Sequence, residues 1–186
     1  MATTHYILGI ICSIGIIGHR LPHSNLLIAK TEIYPYKADS ADLKRNKLVA
    51  TARSQLYVRE QGKNNFGKQI KVYLAYTNLP EGNPYCAAFV SWVYFKAGYK
   101  QPRTAWSPAL FPLARQTLNP KPADVLGIYS VKLKRIAHAG LVERRKDNWI
   151  ISIEGNTNTE GSREGDGVYR KWRHIKTIAK FAEWVR

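Results

Sequence analysis

The chain has 186 residues, 45% of them hydrophobic and 23% charged, which is the composition of a single globular domain with a substantial core and excludes a disordered or low-complexity chain. With 29 Lys and Arg against 13 Asp and Glu, the formal charge is +16, so the surface draws polyanions such as nucleic acid, anionic lipid or anionic cell wall. No zinc-finger spacing, helix-turn-helix signal or RNA-binding aromatic signature accompanies that charge, so basicity alone does not support a nucleic-acid partner.

In chain order, Tyr6 to Gly18 ("YILGIICSIGIIG") is a 13-residue apolar run, shorter than the roughly 20 residues that cross a bilayer untilted. It resembles the hydrophobic region of an export signal. The expected organisation is a leader over 1–30, a linker over 31–42 and one folded domain over 43–186, exported and without a stable membrane span. The linker ends in a helix cap at Asp39 or Ser40. Leu48, Val49, Ala52 and Leu56 recur at helical spacing, which predicts a helix from Leu43 to Glu60 with Gly62 ending it. A second helix is expected over Gly67 to Asn78, with Ile70, Tyr73, Leu74 and Thr77 on one stripe. "LPEGNP" breaks the chain, and Cys86 starts a third helix that buries Phe89, Val90, Val93 and Ala97 and stops at Gly98. A short fourth helix begins at Ser107, with Pro108 at its first helical position.

After "NPKP" the pattern alternates. Four strands are predicted at Asp124 to Val131, Ile136 to Arg144, Trp149 to Asn156 and Val168 to Arg173, with a fifth over Thr177 to Val185. Helices first and an antiparallel sheet second is an α+β order.

Two cysteines are present, Cys12 and Cys86. Once a leader is removed, Cys86 stands unpaired in an oxidising compartment, which calls for a chemical reason. Pro84 forces a break before it, so Cys86 falls in the first helical turn, where unsatisfied N–H groups and the helix dipole favour thiolate. A thiolate nucleophile needs an imidazole, and the imidazole needs a third group to orient it. His5, His19 and His23 lie in the leader region, and His174 reads as a surface residue. His138, mid-strand between two alanines, is the candidate base. Strand parity puts Ile136, His138, Gly140 and Val142 on one face, and Ile150, Ser152, Glu154 and Asn156 on one face of the next strand. A three-residue hairpin loop at 145–147 sets His138 opposite Glu154, and one at 146–148 sets it opposite Asn156. An even-length loop sets it opposite Gly155 and leaves it without a polar partner. Each feature alone has a plain reading, as a small buried residue, a core histidine or a polar strand exit. Their combination points to catalysis.

The segments "YLAYTNLPEGNPYCAAFVSWVYFKAGY", "AHAGLVE" and "IEGNTNTEGSREGDGVYRKWR" resemble, in order and spacing, the CHAP family of cysteine- and histidine-dependent amidohydrolases and peptidases that cut the peptide part of peptidoglycan. The resemblance implies a papain-like α+β fold, with N-terminal helices on a C-terminal antiparallel sheet of about five strands. It implies Cys86 as nucleophile, His138 as general base, Glu154 as the residue orienting the imidazole, and Asn156 as an assisting polar group. The implied partner is peptidoglycan, acted on by a monomer without cofactor, as an N-acetylmuramoyl-L-alanine amidase or an endopeptidase. Some relatives bind calcium through an acidic loop before the cysteine; here that loop holds Glu81 alone, so no metal site is expected. Ala123 stands where a glycine is common, and Tyr85 where a tryptophan is. Two other readings use the same features: a Cys-His acyltransferase or deamidase, and a basic, non-catalytic wall-binding module.

Overall fold

The structure is a computed structural model, and it describes residues 39–160 and 164–185. They belong to one compact unit, Lys37–Arg186. The apolar run Tyr6 to Gly18, expected as a leader, and nearly all of the expected linker lie outside the described residues.

Helix α1 spans Ser40–Arg53, and the Asp39 carboxylate caps it by accepting the Ala41 N–H at 3.3 Å. Leu48, Val49 and Ala52 are buried, as the periodicity requires. The helix ends well before Glu60, for a tertiary reason. Residues 58–60 turn away to pair with the start of a distant strand: the Val58 carbonyl accepts from Val168 N–H at 3.0 Å, and Glu60 N–H donates to Asp166 O at 2.8 Å.

Helix α2, Lys68–Tyr76, buries Ile70, Tyr73 and Leu74. Helix α3, Cys86–Lys96, is buried continuously from Cys86 to Tyr94, the mark of a helix enclosed on all sides. Gly98, at φ +103°, follows its last turn in the left-handed conformation that suits glycine. The Ser107 segment is a single 3₁₀ turn, Ser107–Leu110, with Trp106 rather than Ser107 at the N-cap position and no side-chain cap.

The strands are β1 (Gln116–Thr117), β2 (Val125–Ser130), β3 (Arg135–Lys146), β4 (Trp149–Thr157), β5 (Gly167–His174) and β6 (Lys180–Ala182). They form one antiparallel sheet in the order β1-β6-β2-β3-β4-β5. The protein is thus α+β, with its helices preceding the sheet. The sheet has six strands rather than about five, because the two-residue β1 pairs with β6, and β6 itself covers only three of the residues expected over 177–185. Ala123 keeps the left-handed turn before β2 at φ +72° without a glycine. Its carbonyl accepts the buried Tyr94 hydroxyl at 2.6 Å.

One sheet face, with Val125, Ala139, Leu141 and Ile153, packs with the helices into the main core. The other carries a smaller cluster of Leu126, Val142, Ile150, Ile178 and Phe181. Helix α3 lies against β3 and β4. It comes unusually close at Gly155, where an added Cβ would sit 2.8 Å from the Phe89 Cβ. That approach brings the N-terminus of α3, one turn ahead of Phe89, to the strands that carry His138 and Glu154.

Candidate active site

Cys86 opens α3, is 5% exposed, and is a free thiol. The N–H groups of this first turn have no intrahelical carbonyl to bond, so they face the sulfur's surroundings as donors. The thiol touches the Ser107 hydroxyl at 3.4 Å, and His138 and the Ala139 backbone lie near enough to favour its thiolate form.

His138 reaches Glu154 through Nε2, at 2.8 Å from Oε2. That leaves Nδ1 as the nitrogen available to the sulfur. Glu154 is fully buried and has no loose oxygen: Ser152 Oγ donates to Oε1 at 2.5 Å, Arg173 Nε donates to Oε1 at 3.0 Å, and Arg173 Nη2 donates to Oε2 at 2.6 Å. Such a forked guanidinium contact fixes the carboxylate's orientation as well as its charge.

The strands reach the register expected of the 146–148 loop, but by another route. The β3–β4 turn is two residues long, Asp147 and Asn148, so Lys146 pairs with Trp149. Carried straight on, this even-length loop would set His138 opposite Thr157. A bulge at Glu143, between the Val142 and Arg144 pairings, restores the parity, and Leu141 lies opposite Ile153. Glu154 therefore lies beside Gly140, where an added Cβ would stand 2.5 Å from its Cγ. The missing side chain lets the carboxylate lie across Gly140 and reach His138 diagonally.

Asn156 is a second bulge residue, at φ +56° between the Gly155 and Thr157 pairings. Its Oδ1 accepts the Tyr85 N–H at 3.3 Å and its Nδ2 donates to Asn65 Oδ1 at 2.7 Å. It holds the backbone just ahead of Cys86, not the imidazole. His174 packs its ring edge-on to Trp149, with centroids 5.3 Å apart, and is not part of the site.

Electrostatics follow from this geometry. Burial pushes the Cys86 thiol up, but the His138 hydrogen bond and charge, with Ser107 and the Ala139 backbone, bring it down to about 7. Burial disfavours charge on His138, yet hydrogen bonds to Cys86 and Glu154 and their negative charges raise it to about 10. Burial likewise opposes ionisation of Glu154, and His138 and Arg173 together hold it well below the ordinary carboxylate range. At neutral pH the sulfur is partly thiolate, beside an imidazolium backed by a carboxylate. Cys86, His138 and Asn156 open onto a groove of about 620 Å³ that Arg173 also lines.

Two contributors escaped the sequence reading. Arg173 enters the sequence reading only as the end of a predicted strand, although parity places it with Lys171 and Tyr169 on the β5 face that meets Glu154 and Ser152. Ser107 read as a helix cap. Its contact with Cys86 joins residues 21 positions apart, and nothing local signals it.

The chain matches no protein-family model and no curated protein. Among solved structures, it is similar to the crystal structure of Ly7917, at TM-score 0.44 and 14% identity over 74% of this chain and 60% of that one. The crystal structure of Ly7917 with the hydrolyzing product of MDP gives TM-score 0.41 and 13% identity, over 74% of this chain and 61% of that one. The chain thus spans about three-fifths of their length. Likeness this distant transfers neither fold nor activity, so the site is read from its own geometry.

Proposed function

We propose that the protein is a cysteine amidohydrolase that cleaves an amide bond in the peptide part of bacterial peptidoglycan. The observation that carries the reading is the convergence of Cys86 and His138 on one groove, with the imidazole beside the sulfur and hydrogen-bonded at 2.8 Å to the buried Glu154 carboxylate behind it. The motifs around these three residues resemble the CHAP family, and the +16 charge suits an anionic wall.

In this reaction the Cys86 thiolate attacks the carbonyl carbon, and the carbonyl electrons move to oxygen. The oxyanion is met by the Cys86 N–H; the Tyr85 N–H is already taken by Asn156. As the tetrahedral intermediate collapses, the C–N bond breaks and His138 gives its proton to the departing amine, leaving a thioester. His138, now neutral, takes a proton from water as the water oxygen attacks the thioester. Collapse expels the thiolate, frees the acid and restores the imidazolium. Glu154 keeps the ring oriented and its positive charge favourable throughout. On this reading the protein works outside the cytoplasm, or is held inside until released.

Incubating isolated sacculi with wild type and with Cys86→Ala, and weighing the soluble fragments by mass spectrometry, tests the proposal. Wild type is expected to release fragments bearing one new amine and one new carboxylate per cut. Cys86→Ala is expected to bind sacculi and release none. An intact wall with acyl groups moved would identify a transferase, and identical behaviour of the two proteins would identify a binding module.

A further inference from the structure

The lysine and arginine side chains that line the groove beside Cys86 are not matched by acids. Lys132, Arg135 and Arg173 line it, and no Asp or Glu does. Arg173 is committed to Glu154. The ion pairs among the described residues involve neither Lys132 nor Arg135.

Arg135 is held in place without being neutralised. Its guanidinium carbon lies 4.1 Å from the centroid of the Trp106 ring, and its Nη1 donates to the Ile136 carbonyl at 3.0 Å. Stacking on an indole fixes the plane of a guanidinium and leaves its remaining N–H edge free to bond in that plane. Trp106 stays 54% exposed and directly precedes Ser107, whose hydroxyl touches the Cys86 sulfur. A fork-shaped cation with a fixed plane, in no ion pair and lining the same groove as the nucleophile, is matched in shape and charge by a carboxylate.

We infer that Arg135, stacked on Trp106 and supported by Lys132, forms a carboxylate-binding subsite, so that the peptide taken by this groove carries a free carboxylate close to its scissile amide. The inference rests on the amide-hydrolase reading for the word scissile, but the subsite itself is testable without hydrolysis. A charge-assisted, two-point contact of this kind favours the carboxylate over its carboxamide by about tenfold to a hundredfold.

The test uses two soluble probes, N-acetyl-alanyl-γ-glutamyl-lysine amide with the glutamyl α-carboxylate free, and the same peptide with that group as a carboxamide. Binding to Cys86→Ala by calorimetry is expected to favour the acid by at least about tenfold. Adding Arg135→Gln is expected to bring the two probes within about twofold of each other, while Arg135→Lys, which keeps the charge and loses the fork, leaves an intermediate preference. Equal binding of both probes, equal weakening of both by Arg135→Gln, or no binding of either overturns the subsite. Turnover by wild type separates this from the parent reading. If Cys86→Ala discriminates but wild type cleaves neither peptide, the subsite stands and the hydrolase reading for such peptides fails. If wild type cleaves both with equal kcat/KM, the hydrolase stands and the subsite fails.

Discussion

Glu143 and Glu154 lie eleven positions apart on neighbouring strands, and both are buried carboxylates held by arginine, with side-chain exposures of 2% and 0%. For both, burial raises the pKa and cationic partners more than reverse it, so both lie below the ordinary 4.5. Each therefore contributes stability that is present above pH 4.5 and is lost only as pH falls through its lower folded value. The difference lies in their partners. Glu143 is closed by two guanidinium groups, with Arg53 Nε at 2.5 Å from Oε1, Arg170 Nε at 2.5 Å from Oε2 and Arg170 Nη2 at 2.8 Å from Oε1. Glu154 has one arginine and gives part of Oε2 to an imidazole that can exchange a proton. A carboxylate held in its charged form is common to a clamp and to a catalytic site; the proton-exchanging neighbour at the edge of a groove separates them.

Neutralising each carboxylate in turn breaks the comparison most sharply. Glu154→Gln is expected to lower kcat/KM by about 10²- to 10⁴-fold, the scale of losing a positioned acid–base unit. Glu143→Gln is expected to leave kcat/KM within about twofold while lowering stability by about 1–3 kcal/mol, a buried-pair effect reduced because its arginine partners are about half exposed. Denaturant melts alongside turnover on sacculi separate the two effects. If both variants lose activity equally, the distinction between clamp and catalytic carboxylate is void.

Gly140→Ala is the next largest. The new Cβ cannot coexist with Glu154 Cγ at 2.5 Å, so the carboxylate must shift and loosen its hold on His138. A fall in kcat/KM of about 10- to 100-fold is expected from such a misplacement, with a wild-type circular dichroism spectrum. Unchanged turnover would show that the diagonal contact is not needed.

The pH profile sharpens the same point. Since Cys86 is brought down to about 7 and His138 raised to about 10, kcat/KM is expected to rise as pH increases through about 7, where the thiolate forms. It should fall through about 10, where the imidazolium loses its proton. The two limbs belong to the coupled pair rather than to either residue alone. In Glu154→Gln the upper limb is expected to move down, because a negative charge that favours the imidazolium is gone. In Glu143→Gln both limbs should stay in place.

The smallest effect concerns the turn that sets the register. Asp147 is exposed and sits at φ +53°, so Asp147→Gly is expected to raise stability by less than about 1 kcal/mol. Turnover should not change, because the bulge at Glu143 restores the pairing downstream. A loss of activity in this variant would mean that the turn, and not the bulge, governs where His138 points.

Much of this molecule is legible in its residues because the informative signals are local. Pro84 before Cys86, the stripes at Leu48, Val49 and Ala52 and at Ile70, Tyr73 and Leu74, and the alternation after residue 123 each act within a turn or a strand. Strand parity also carries the pairing of His138 with Glu154, but through the wrong loop: the turn has two residues, and the parity it would cost is recovered by Glu143. A bulge has no sequence mark of its own. Long-range terms explain what was missed. Residues 58–60 leave the helix to pair beside β5, and Arg173 and Ser107 meet their partners only after the chain has folded.

The central claim is that sulfur, imidazole and carboxylate act as one electrostatic unit, and the most direct measurement is the rate of Cys86 alkylation by iodoacetamide against pH. Mass spectrometry of the peptide bearing Cys86 keeps Cys12 out of the signal. In wild type the rate is expected to rise with a midpoint near 7, and in His138→Gln the midpoint should climb to at least the ordinary thiol value of roughly 8.5. A wild-type midpoint already at that ordinary value, unmoved by loss of the imidazole, would contradict the account.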